Sequence, residues 1–97
     1  MFDMDENTAV ITTRDIMNKK KRVVLVFHDT DEIWQFLDGE EVSNENAAVV
    51  SISEMEQLEP SICELCELPS GWGAFREDES KPWEWFETEA SDSGEPV

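Results

Sequence analysis

Basic residues are scarce in this 97-residue chain: seven Lys and Arg stand against 24 Asp and Glu, a formal net charge of −17. A surface of that sign repels phosphate backbones and anionic headgroups, so general nucleic-acid and membrane-surface binding are disfavoured. Long apolar runs are lacking as well. The longest, Val23 to Phe27, falls far short of the roughly 20 residues that cross a bilayer as a helix. The first residues, Met1 to Glu6, are acidic where a secretory n-region is basic, and no apolar segment follows them. Cysteine is limited to Cys63 and Cys66 and histidine to His28. In a chain without a targeting signal, that cysteine usage fits a reducing compartment, and the expected location is cytoplasmic. Phosphate-cradling glycine loops, a dinucleotide fingerprint and a Gly-x-Ser-x-Gly elbow are all missing.

What is there suffices for one domain. A chain of this length buries roughly 60–65% of the surface its unfolded form exposes, and 39% hydrophobic content with four tryptophans can supply one modest core. The charge keeps such a protein soluble, and it also suits cationic partners. Its distribution is uneven. Arg14, Lys19, Lys20, Lys21 and Arg22 are five of the seven bases, and the stretch between Arg22 and Arg76 carries twelve acids, from Asp29 to Glu67, with no Lys or Arg.

Hydrophobic alternation and turn residues organise the rest. Thr8 to Thr12 reads as a short strand, with Thr13 capping a short helix through Asn18 and Lys19 to Lys21 forming a turn. Arg22 to Phe27 is the clearest strand, β-branched and apolar on both faces. His28-Asp29-Thr30-Asp31 signals a turn into Ile33 to Leu37, so the pair reads as a hairpin. Asp38-Gly39 breaks it, and a polar loop leads to a strand over Ala47 to Ile52. Ser51 with Glu54, or Ser53 with the acids after it, caps a helix starting near Ser53. Pro60, at a first helical position, starts another turn through Glu67. Trp72 to Glu77 and Trp83 to Glu87 form a second hairpin. The expected fold is α+β, a small antiparallel sheet of four or five strands with two or three short helices. Residues 1–7 are expected to be a flexible N-terminus, 8–87 one domain, and 88–97 a disordered acidic tail.

Few residues point to chemistry. Cys63-Glu64-Leu65-Cys66 is a Cys-x-x-Cys pair. A structural zinc site needs four ligands, and Cys and His together number three here. A redox thiol needs an electropositive helix N-terminus, whereas these thiols sit beside Glu64 and Glu67; packing is the expected role, with no metal or cofactor. His28 lies beside Asp29 and Asp31 without a recognisable nucleophile and reads as a turn histidine. Asp29-Thr30-Asp31 opens like a calcium loop but lacks the glycine at the sixth place. Lys19 to Arg22 reads as a solvated basic turn. The aromatic cluster says more. Trp72 and Arg76 share one strand face, and Trp83 and Trp85 share one face of the partner strand with Phe86 on the other. Trp34 and Trp85 read as core. Trp72, Arg76 and Trp83 are the candidate partner-binding residues, because Trp and Arg are over-represented at interface hot spots.

The order of several blocks carries a resemblance: Trp34-Gln35-Phe36-Leu37 with Gly39, Ala48 to Ile52, Pro60-Ser61, then Leu68-Pro69-Ser70-Gly71-Trp72 with Ala74 and Arg76, and Pro82-Trp83. Over roughly residues 10–86 the chain resembles a family of small bacterial domains without an established biochemical activity, grouped with predicted immunity proteins of polymorphic toxin systems. That resemblance implies a fold and a binding role, and no catalytic residues. The expectation is a non-enzymatic acidic protein-binding domain, with an immunity-type antidote to a basic toxin as its specific form. The alternative is a housekeeping cytosolic domain whose charge serves solubility.

Overall fold

A computed structural model describes residues 5–40 and 43–88. The elements run β1 (Ala9–Thr13), α1 (Arg14–Met17), β2 (Leu25–His28), β3 (Trp34–Leu37), β4 (Ala47–Ser51), α2 (Ile52–Leu58), a 3-10 helix (Pro60–Leu65), β5 (Trp72–Phe75) and β6 (Glu84–Glu87). The α+β class is as expected; the sheet is larger. All six strands join one sheet in the order β4-β1-β3-β2-β5-β6. It is mixed, because β1 and β3 pair in parallel. The topology forces this. The chain leaves β1 through α1, skips one position to lay down β2, and the β2–β3 hairpin then folds β3 back into the gap, so β3 runs with β1. Alternation along single strands does not report such a pairing.

Local chemistry fixes the ends of the helices. The Thr13 hydroxyl accepts from Ile16 N at 3.1 Å and starts α1. Its C-terminus is a Schellman turn, with Lys19 N donating to Ile16 O and Lys20 N to Asp15 O, at 3.0 and 2.8 Å. The turn places Lys19 in the left-handed region at φ 66°. Ser51 and Glu54 form a full capping box on α2: Glu54 N donates to Ser51 Oγ and Ser51 N to Glu54 Oε1, both at 3.1 Å. Pro60 opens the 3-10 helix.

These helices cover one side of the sheet. The core joins Val10, Val26, Trp34, Phe36 and Ala74 from the strands to Ile16, Ile52, Met55, Ile62, Leu65 and Leu68. Trp34 is buried, as expected. Trp85 is 43% exposed, against expectation, because β6 is an edge strand and a side chain there has sheet neighbours on one side only. At the margins of the expected domain, Glu6 O accepts from Ser53 N at 3.1 Å, and Thr88 N donates to Gly71 O at 2.8 Å. The rest of the expected tail, residues 89–97, and residues 1–4 lie outside the described residues. No helix among the described residues is long and apolar enough to cross a membrane.

Candidate functional site

Arg76 follows directly on β5 and is 3% exposed. Its Nε and Nη2 both donate to Val23 O, at 2.9 and 2.7 Å, and Nη2 lies 3.6 Å from Glu59 Oε2. The guanidinium carbon stands 4.3 Å from the centre of the Trp83 ring, in cation–π range. Glu59, also buried, accepts two bonds from Arg22, at 2.8 and 2.7 Å, and one from the Ser61 hydroxyl at 2.9 Å. Burial works to raise the Glu59 carboxyl, but the hydrogen bonds from Arg22 and Ser61 and the charges of Arg22 and Arg76 outweigh it and hold it below its ordinary value. The Arg22 guanidinium is correspondingly held more basic by its bond to Glu59. This network ties the entry of β2, the exit of β5 and the start of the 3-10 helix together.

The three sequence candidates therefore fall into two places. Arg76 and Trp83 meet each other, but the Arg76 donors are spent inward on Val23 O. Trp72 stands at the opposite end of β5, half-buried against the core and paired across strands with His28 and Glu87.

His28 and the cysteines are also engaged in packing. The His28 ring stacks on Trp34 with centroids 4.0 Å apart, and its Nδ1 lies 2.8 Å from Leu68 O. A carbonyl only accepts, so Nδ1 carries the proton. The Cys63 thiol points to Glu56 Oε2 at 3.8 Å; burial first, and the Glu56 charge second, push its pKa up, which keeps it a thiol. Cys66 packs against the core. Among the described residues no group of three or more His, Cys, Asp or Glu is placed to hold a metal ion.

Two larger features appear only once the strands are assembled. The first is the confinement of the bases to one end of the strand axis. The β1–β2 connection, the β3–β4 loop and the β5–β6 turn lie at one end of the sheet, and they contain every Lys and Arg of the chain: Arg14, Lys19, Lys20, Lys21, Arg22, Arg76 and Lys81. Asp15, Asp38, Glu40, Glu45, Glu77, Asp78 and Glu79 stand among them, so that end is near neutral while the other is acidic. At the other end are Asp5 and Glu6 before β1, Asp29, Asp31 and Glu32 in the β2–β3 turn, and Glu87 at the end of β6. Sequence order leaves Arg76 and Lys81 far from the Arg14 to Arg22 group, and the pairing of β5 with β2 brings them to the same end.

The second feature is the sheet face away from the helices. Cross-strand register puts Val49, Ile11, Gln35, Phe27, Gly73 and Phe86 in one row across all six strands. Leu25, Phe75 and Glu84 follow in the next row. Val49 is 70% and Phe75 44% exposed, while Ile11, Leu25, Phe27 and Phe86 are half-buried. Phe27 and Phe86 meet edge to face, with centroids 6.2 Å apart. Gln35 Nε2 donates to Asp29 Oδ2 at 2.8 Å, which holds an acid at the margin of the apolar row. Toward the end that holds the bases, Leu37 and Thr13 of that next row are buried. The signal for this face lay in the β2 residues that are apolar on both sides; such a strand implies cover on both faces, and helices cover one.

No family model, curated protein or solved structure matches the chain.

Proposed function

We propose that this chain is a non-enzymatic protein-binding domain that recruits a basic partner through the acidic end of its sheet. The observation that carries the reading is the placement of all the Lys and Arg residues at the other end. Solubility needs net charge of either sign and gains nothing from segregating it. A pole of one sign steers the encounter with an oppositely charged surface and orients it. A non-catalytic role is supported by the engagement of the reactive side chains: His28 stacks on Trp34, and Cys63 is held as a thiol.

An immunity-type antidote to a basic toxin is the specific form of this function that the sequence resemblance favours. Trp72, Arg76 and Trp83 serve it from within, by holding β5 and its flanking turns in place. The test is an affinity capture from native cytosol followed by association kinetics with the captured protein across a salt series. Between about 50 and 500 mM salt the on-rate should fall steeply while the off-rate changes little, since the Debye length shrinks to well under 10 Å. A salt-independent on-rate would leave the charge a solubility device, and the domain a housekeeping one.

A further inference from the structure

Resting on that reading, we infer that the contact surface for the basic partner is the open sheet face, with the apolar rows at its centre and the acidic end as its rim. The occupant is a protein surface with an aliphatic or aromatic centre bordered by Lys and Arg.

Apolar side chains normally earn their place in a sheet by being covered. Here Leu25, Phe27, Phe75 and Phe86 adjoin one another on β2, β5 and β6, on the face opposite the core cluster, with Ile11 and Val49 beyond Gln35 of β3. Contiguous exposed apolar surface rimmed by polar groups marks an interaction site, whereas scattered exposed residues do not. Strands of four or five residues across six positions give this face about 24 by 15 Å. That is about half of the roughly 800 Å² a partner contributes to a stable complex. The remainder must come from the rim, and there the chemistry is one-sided. Asp29 is fixed at the margin by Gln35, Asp31 and Glu32 follow it in the same turn, and Glu84 stands beside Phe75 on the face itself. A second copy of this chain, itself carrying −17 overall, would bring the same carboxylates to that rim. Like charges oppose that pairing, and a cationic border satisfies it. The apolar centre then supplies the slow dissociation, and the rim the fast, salt-sensitive approach.

The test uses the whole chain and two synthetic peptides of equal positive charge. One is all lysine; the other has an Ile-Trp-Ile-Phe centre flanked by lysines. The chain should bind the centred peptide about tenfold more tightly than the all-lysine one. Amide shifts should concentrate at Ile11, Gln35, Phe27 and Phe86. Phe75→Gln and Val49→Thr, both at exposed positions, should each reduce the affinity for the centred peptide several-fold and leave the all-lysine peptide unaffected. If F75Q unfolds the domain, V49T alone carries the comparison. Salt-sensitive binding of both peptides with equal affinity, untouched by the variants, overturns the inference and leaves the acidic-pole reading standing. No binding of either peptide overturns both. A dimer of the free chain that F75Q dissociates would show that a second copy covers the face, and would also overturn the inference.

Discussion

Phe86 lies over Gly73 on the open face of the sheet, so closely that a Cβ at residue 73 would stand 2.6 Å from Phe86 Cζ and 3.0 Å from Val26 O. The glycine lets an aromatic from the edge strand lean across β5 to reach Phe27, and the ring in turn shields backbone that glycine leaves bare. Gly73→Ala should cost about 1–3 kcal/mol, since the ring and a backbone carbonyl both have to give way. Most of that cost should disappear when Phe86→Ala is already present. Urea midpoints for the two single variants and the double one close the cycle, and strict additivity would mean the two residues do not interact.

Glu59 holds the charge of the buried Arg76, so its removal should be felt more than that of any surface acid. Glu59→Gln leaves the guanidinium at 3% exposure without its counter-charge and should destabilise by about 3 kcal/mol. The pH dependence has a definite sign. The folded carboxyl binds its proton more weakly than the unfolded one. Its stabilising contribution is therefore complete above the unfolded carboxylate range near about pH 4.3, and is lost as the pH falls through that range toward the lower folded value. Stability curves of the parent and E59Q should converge on acidification. Parallel curves would contradict the role given to Glu59.

Lys19 occupies the position of a helix C-terminus that glycine usually fills, with φ at 66°. Lys19→Gly should raise stability by about 0.5–1 kcal/mol, the relief of the left-handed backbone exceeding the added entropy of the unfolded chain. Thermal unfolding at fixed pH and salt reads this directly, and a lowered midpoint would refute it.

Much of this fold was legible one element at a time. Thr13, Ser51 with Glu54, and Pro60 each announce a helix start through a local hydrogen bond or a missing N–H, and each holds. Both hairpins follow from the turn residues between their strands. What stayed hidden depends on contacts distant in sequence. The parallel pairing of Ile11 with Gln35 is a consequence of strand order, to which neither residue's neighbours bear witness. Arg76 shows the same limit at the site. Its alternation with Trp72 and Ala74 predicts the face correctly, but whether that side chain reaches solvent depends on Glu59 and Val23, seventeen and fifty-three residues away. Trp and Arg suit an interface and a buried clamp equally well, because both combine a flat surface with hydrogen-bond donors.

On the proposed function, the position of the charge, beyond its total, directs association. Two triple variants with the same change in net charge separate the two. Asp5→Asn, Asp31→Asn and Glu87→Gln neutralise the acidic end; Asp38→Asn, Glu77→Gln and Glu79→Gln neutralise acids beside the bases. Stopped-flow association with the lysine-flanked peptide at low salt is the measurement. The first triple should slow the on-rate by about tenfold and the second by less than about twofold, since steering follows the local field. Equal slowing by both would contradict the claim and reduce the charge to its sum.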